Sequence, residues 1–361
     1  MNHLFKGPVH ARGQPCYLKK ARILSLLAVI GMNCLFLFGL IHVGVASARA
    51  ARPIIGILTV PVEHNDCTTL STTRTEPIRA TSCFHSLYVK WLEAAGARVV
   101  PLPFDMAKDD FAATLSSING ALITGGETDI KTISSAYMTA AQRLYNHSLT
   151  LHNNGETWPL WGTCMGMQVL SIIGADNPDV LLSDAYDSED LVLPLSLTPA
   201  ATSSALLCDT CLPSSALDTL RTANVTVNLH HDGVAPASFA PGSKLGSAFK
   251  VLSTNVDNKG KAFASTIEAA SGAPIWGVQW HPERPQFEWK PRASDHFNHD
   301  AAAIAAMFAV ATRLVSAARQ NARQYADESE ESRALIYNYS PVGSADGGSY
   351  QAYFFGNYNL A

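Results

Sequence analysis

The chain has 361 residues, 47% of them hydrophobic, and a formal net charge of −4. That is enough for one large α/β core or two smaller ones, and the mild acidic excess leaves no electrostatic footprint for nucleic acid. There is no internal repeat and no long low-complexity segment, although Ala301–Ala311 is rich in alanine.

The first fifty residues differ in kind from the rest. Lys6, Arg12, Lys19, Lys20 and Arg22 precede an apolar run from Ile23 to Val45, and the small residues Ala46-Ser47-Ala48 follow. Basic flank, apolar core and A-x-A form the layout of a secretory signal peptide. The run is also long enough to span a bilayer, so a cleaved leader and a retained anchor both stay open. Either way the basic flank stays cytoplasmic and the rest enters the lumen. Residues 1–50 therefore read as signal peptide or signal anchor, and residues 51–361 as a single catalytic domain. Nothing after Arg52 marks a further boundary.

Along the body, "RPIIGILTVP" reads as a first strand, Ile54–Val60, followed by a Thr-rich polar loop from Glu63 to about Thr81. "SLYVKWLEAAGARVVPLPFD" gives a helix ending at Gly96 and a second strand, Arg98–Leu102. Asp109–Ser117 is helical, and "INGALITGGETD" is a third strand ending in the glycine pair Gly125-Gly126. Lys131–Leu151 has helical spacing and leads to a short buried strand at Trp158–Trp161. Strands alternating with helices predict a doubly wound, mostly parallel sheet with helices on both faces. After Val180 come shorter β-like runs at Leu191–Leu197 and Val225–Leu229. A hairpin follows, with strands Phe263–Glu268 and Pro274–Trp280 around Ser271-Gly272-Ala273. Asp300–Arg323 is helical, "DESEES" reads as a solvated loop, and the aromatic tail from Tyr337 packs back onto the body.

The chemistry concentrates in "WPLWGTCMGMQVL". Cys164 sits where the Trp158 strand gives way to a helix whose apolar positions include Met165, Met167, Val169, Leu170, Ile172 and Ile173. Gly162 and Gly166 flank it in a G-x-C-x-G pattern, the cysteine form of the nucleophile elbow. The helix N-terminus just beyond favours thiolate over thiol. A lone cysteine beside an apolar run is more often a small core residue. The glycine pair weighs against that, and a matching base would nearly remove it.

That base stands in "IWGVQWHPERPQFEW". His281 and Glu283 are two apart in what reads as an extended segment, so their side chains leave one face. A carboxylate beside an imidazole holds its tautomer and orientation, as a Cys–His pair requires.

Five cysteines lie beyond the leader, which itself holds Cys16 and Cys34. With Cys164 set aside as a free thiol, Cys67, Cys83, Cys208 and Cys211 remain, an even number suited to an oxidising compartment. Three pairings are possible, and 67–83 and 208–211 close the shortest loops. The C-x-x-C at 208–211 lacks a second ligand pair nearby and reads as a structural disulfide rather than a metal site. Sequons at Asn146, Asn224 and Asn338 suit the same compartment.

These segments resemble the γ-glutamyl hydrolase family within the class I glutamine amidotransferase-like superfamily. The elbow with "HPE" carries the superfamily likeness. "RPIIGIL", "YVKWLEAAGARVVP", "INGALITGGETD", "WGTCMG", "WGVQWHPE" and "ALIYNYSP" carry the family likeness through almost the whole mature chain. The resemblance implies Cys164 as nucleophile, His281 as general base and acid, and Glu283 as the orienting third member. It implies Gly125-Gly126 as an oxyanion loop, with the Gly126 and Met165 N–H groups as donors, because only glycine lets a backbone approach so closely. In "VNLHHDG" it implies a functional histidine at His230, with His231 the alternative. The family commonly shows a basic and an aromatic residue after this histidine, where His231 and Asp232 stand here. Gln168, four residues after the cysteine, also departs from the glutamate of γ-glutamyl hydrolases and matches the glutamine of amidotransferases. The implied substrate is a small molecule, a folate poly-γ-glutamate, taken without metal or cofactor. Arg74, Arg79, Lys131 and Arg284 are candidate cations for its carboxylates. The implied assembly is a homodimer, and the implied setting is a lysosome- or vacuole-like compartment or the extracellular space. A glutaminase passing ammonia to a synthetase would need a partner domain, which this sequence lacks. A catalytically dead tethered binding protein fits poorly with every matched catalytic position being filled.

Overall fold

The protein is described from a computed structural model covering residues 50–63, 67, 80–289, 296–343 and 351–356. All of them belong to one compact unit, Val45–Ala361. The proposed leader and the loop residues Arg74 and Arg79 lie outside the described residues.

The body is built on an eight-stranded sheet. In chain order its strands are β1 (Ile54–Leu58), β2 (Arg98–Leu102), β3 (Gly120–Ile123), β4 (Leu160–Thr163), β5 (Ser196–Leu197), β6 (Phe249–Val256), β7 (Ala262–Ala269) and β8 (Ile275–Val278). The spatial order is β2-β1-β3-β4-β8-β7-β6-β5. The first five strands of that order run parallel, and the last three pair antiparallel. Every residue of β1, β3, β4 and β8 is buried, as central strands covered on both faces must be.

Side-chain alternation sends β1 residues to two different cores. Ile54 and Leu58 join α2 (Lys108–Ser117), α3 (Ala136–Asn153) and α4 (Met165–Ala175), while Ile55 and Ile57 join α1 (Ser86–Ala94), α5 (Ser214–Thr222) and α6 (Ala301–Ala318). The doubly wound expectation therefore holds, and the hairpin strands β7 and β8 are integral to the central sheet. α6 is apolar enough to cross a membrane by length and composition, yet ten of its residues are buried in this body.

Three sequence expectations need correction. The stretch read as helical from Lys131 begins only at Ala136, where Ser135 caps the helix by accepting from the Met138 N–H, and Lys131–Ser135 is a turn held by Asp129. The acidic run read as a solvated loop forms a helix, α7 (Glu328–Ala334). Asp327 accepts from the Glu330 N–H, and three acidic residues in the first turn favour the positive end of the helix. Arg98 and Arg52 pair with Glu331 and fasten this helix to the start of β1 and β2. His281 and Glu283 do not continue an extended strand: β8 ends at Val278, and Pro282-Glu283 form a turn.

The tail packs back as Gln351–Phe355, antiparallel to Ser82–His85. Disulfides join Cys67 to Cys83 and Cys208 to Cys211, the two shortest loops, and Cys164 is free.

A buried amide pair staples the sheet to the segment that follows α6. Asn119 accepts from the Ile54 N–H at 2.8 Å and donates to the Asn321 side chain at 2.8 Å, while Asn321 donates to the carbonyls of Asn119 and Thr157. Removing the Asn119 side chain strands a buried N–H, which costs about 1–3 kcal/mol. Asn119→Ala should therefore melt about 2–5 °C below the native chain by calorimetry. An unchanged Tm would mean the staple contributes nothing.

Candidate active site

Three neighbouring parallel strands deliver the candidate residues at their carboxyl ends, the usual place for a site in such a sheet. β3 ends at Ile123, just before Gly125-Gly126. β4 ends at Thr163, and Cys164 follows. β8 ends at Val278, just before Gln279 and His281. The register aligns them, with Ile123 opposite Gly162 and Thr163 opposite Val278.

Cys164 occupies a left-handed backbone conformation, φ 50° and ψ −109°, and caps α4. A non-glycine residue there is strained and needs its surroundings to hold it. They do: the Cys164 N–H donates to the Val278 carbonyl at 2.7 Å, and its carbonyl accepts from Met167 and Gln168. The flanking glycines follow from close approach. A Cβ on Gly166 would lie 2.2 Å from the Ile123 carbonyl oxygen, and one on Gly162 would lie 2.6 Å from the Gly166 carbonyl.

His281 is buried, and its Nδ1 lies 2.7 Å from Glu283 Oε1. The carboxylate accepts, so Nδ1 carries a proton, and Cys164 lies near enough that its charge favours the protonated ring. Burial alone would push the imidazole down, but the Glu283 carboxylate overcomes this and lifts it to about 9. For Glu283, burial pushes upward, and the His281 charge and hydrogen bond win to hold the carboxyl below its ordinary value. Arg284 lies beside the pair, 3.8 Å from Glu283 Oε1, and donates to Glu288 at 2.8 Å. Arg284 is thus a buried member of the charge cluster behind the histidine rather than a surface cation.

Gly125 and Gly126 face this group. A Cβ on Gly125 would lie 2.9 Å from His281 Cε1 and 3.2 Å from Cys164 Cβ, and Gly126 has φ 135°, open in practice only to glycine. The Gly125 N–H is engaged, donating to Tyr88 Oη at 2.8 Å. Met165 opens α4, so its N–H has no acceptor within the helix.

The two histidines of "LHH" separate by burial. His230 turns inward, with Nδ1 2.8 Å from the Asp232 carbonyl and its ring edge-on to Phe263. A carbonyl only accepts, so Nδ1 carries the proton and the buried Nε2 is an acceptor with no protein partner. Burial, with a smaller push from His281, lowers His230 to about 4 and keeps it neutral. His231 sits at the rim, 3.8 Å from Glu189. Lys131 is exposed on the loop beyond Gly126.

Gln168 is buried, and its Nε2 donates to the Asp232 carbonyl at 3.1 Å and to Gln279 Oε1 at 3.4 Å. Sequence reasoning missed two neighbours. Tyr88 looked like one more apolar position of α1, yet its hydroxyl meets Gly125, and burial, with Glu283 and Cys164 nearby, pushes it well above its ordinary value. Gln279 stands in "WGVQWHPE", where a polar residue amid a buried strand end was the available signal. Its Nε2 lies 3.5 Å from Cys164 Sγ.

A family model described as Peptidase C26 matches residues 53–283. The chain belongs to the peptidase C26 family. Relatives of this peptidase C26 chain include human γ-glutamyl hydrolase, 34% identical over 88% of this chain and 97% of that protein. Dictyostelium discoideum γ-glutamyl hydrolase B is 32% identical over 80% and 79%, and Arabidopsis thaliana γ-glutamyl hydrolase 1 is 32% identical over 84% and 83%. Among solved structures, the acivicin-bound glutaminase domain of Trypanosoma brucei CTPS aligns with TM-score 0.46 and 13% identity, covering 75% of this chain and 95% of that one.

The His281–Glu283 pair makes stability depend on pH. The folded imidazole value, about 9, exceeds the ordinary 6.5, so its contribution is complete below about pH 6.5 and is lost as pH rises through about 9. The Tm difference between the native chain and His281→Gln should be level from pH 5 to 6.5 and shrink between pH 7 and 9.5. A difference constant to pH 9.5 would contradict the charged pair.

Proposed function

We propose that this chain hydrolyses γ-glutamyl peptide bonds of pteroyl poly-γ-glutamates through a Cys164–His281–Glu283 triad and an acyl-enzyme. The observation that carries the reading is Cys164 on a strained elbow beside an imidazole whose Nδ1 is held 2.7 Å from a buried carboxylate, with both side chains meeting at Gly125. Relatives named γ-glutamyl hydrolase over most of both chains support the bond class.

The Cys164 thiolate adds to the side-chain Cδ carbonyl of a glutamyl unit, forming a C–S bond and an oxyanion. The Gly126 and Met165 N–H groups receive that charge. His281 protonates the departing nitrogen as the C–N bond breaks, then takes a proton from water, which attacks the thioester. Glu283 holds the imidazole throughout, and His230 offers its neutral Nε2 as an acceptor to substrate. Lys131 supplies charge for the extra carboxylates, with Arg74 and Arg79 as further candidates outside the described residues, whereas Arg284 is committed to Glu283 and Glu288. The leader routes the protein into the secretory pathway.

Free glutamine presents the same carbonyl with ammonia as leaving group. Gln168, which matches the amidotransferase glutamine, is the feature that favours this second reading. The test is kcat/KM for glutamine and for pteroyl-γ-diglutamate, measured side by side on the native chain and on Cys164→Ala. The proposal expects at least a hundredfold preference for the diglutamate, about 2.7 kcal/mol in transition-state binding, and no turnover by Cys164→Ala. Equal or greater efficiency on glutamine would select the amidotransferase reading, and an active Cys164→Ala would remove the nucleophile.

A further inference from the structure

Gln279 is fully buried one residue before Trp280 and His281, and the triad gives it no role. Its backbone N–H donates to the Ser265 carbonyl at 2.8 Å, which ties the segment to β7. Its side chain lies between two partners, Gln168 on one side and Cys164 Sγ on the other.

The orientation of both amides is set by a single carbonyl. The Asp232 oxygen only accepts, so the Gln168 atom facing it at 3.1 Å is the NH2 group. The same NH2 faces Gln279, which must therefore present Oε1 there. Gln279 is left with its NH2 toward the sulfur at 3.5 Å. A flipped Gln279 would set two NH2 groups against each other in a buried space, and a flipped Gln168 would set two oxygens against each other.

We propose that Gln279 is a thiolate-positioning residue, donating an amide N–H to Cys164 Sγ, and that Gln168 locks it in the donating orientation through the Asp232 carbonyl. The role deepens the reading of Cys164 as nucleophile and rests on it. Negative charge leaves sulfur when the C–S bond forms and returns to sulfur when water cleaves the thioester, so a fixed donor serves at both ends of the cycle. Hydrogen bonds to charged groups are about twice as strong as neutral ones, and this one adds to the charge of the nearby His281 imidazolium. His281 and Glu283 from the turn after β8, Arg284 beside them and Tyr88 from α1 are the other titratable or charged groups around the sulfur. Gln279 differs from all of them in carrying no titratable proton, so its donation is the same at every pH.

The experiment is the rate of iodoacetamide alkylation of Cys164 in the full chain from pH 4.5 to 9.5, followed by mass spectrometry of the Cys164 peptide. It requires no substrate, so it stands or falls separately from the γ-glutamyl reading. Gln279→Leu should alkylate roughly tenfold more slowly at pH 6, in line with one lost charge-assisted hydrogen bond, and should recover the native plateau rate at high pH. Gln168→Leu, which touches no sulfur, should shift the profile the same way by a smaller factor, and it carries the test if Gln279→Leu does not fold. A native profile in the folded variants would overturn the proposal. So would equal slowing at every pH, which reports access rather than charge.

Discussion

The 2.7 Å hydrogen bond from the Cys164 N–H to the Val278 carbonyl is the contact on which the rest of the site depends. It holds a non-glycine residue in the left-handed region and fixes the elbow to the strand that carries Gln279 and His281. Strand register, the glycines at 162 and 166 and the helix that starts at Met165 all serve that one placement. Gly166 packs its α-carbon against the Ile123 carbonyl, so β3, β4 and α4 meet without room for a methyl group. An elbow held in this way aims the sulfur by backbone geometry and needs no loop closure.

Electrostatics then set the proton inventory. A buried imidazole favours its neutral form, and a buried carboxylate does likewise. Placed 2.7 Å apart, they reverse both tendencies, with the histidine raised and the glutamate lowered. Arg284 and Glu288 continue the alternation of charge away from the sulfur. His230 goes the other way and stays neutral because burial outweighs the upward push of the Asp232 carbonyl and of the Asp257 carboxylate. One small site thus contains one charged and one neutral imidazole, each oriented by an oxygen at its Nδ1.

Much of this was legible in the sequence for physical reasons that can be named. Period and punctuation gave the parallel strands, because β1 is an apolar run closed by Pro61, and β3, β4 and β8 are apolar runs followed within three residues by Gly125, Cys164 and His281. The elbow was legible because its glycines answer to backbone approach, a strictly local demand. The pairing of His281 with Glu283 was anticipated, but by the wrong geometry: a turn at Pro282, not strand alternation, brings the groups together. The helix at Glu328–Ala334 was missed because charge density masked a capping aspartate. Tyr88 and Gln279 were hidden for the opposite reason, since their partners lie 37 and 115 residues away in sequence. Arg284 was misread for another reason: its carboxylates, Glu283 and Glu288, stand one and four residues away, but the burial that commits it to them does not show in the sequence.

The proposed chemistry passes through a covalent γ-glutamyl thioester on Cys164. Acid-quenching the native chain within milliseconds of mixing with pteroyl-γ-diglutamate, then digesting and mass-mapping it, tests that claim most directly. A labile acyl adduct is expected on the peptide containing Cys164 and absent from Cys164→Ala. Turnover at the native rate with no adduct on Cys164 at any quench time, or with the adduct on another residue, would contradict it.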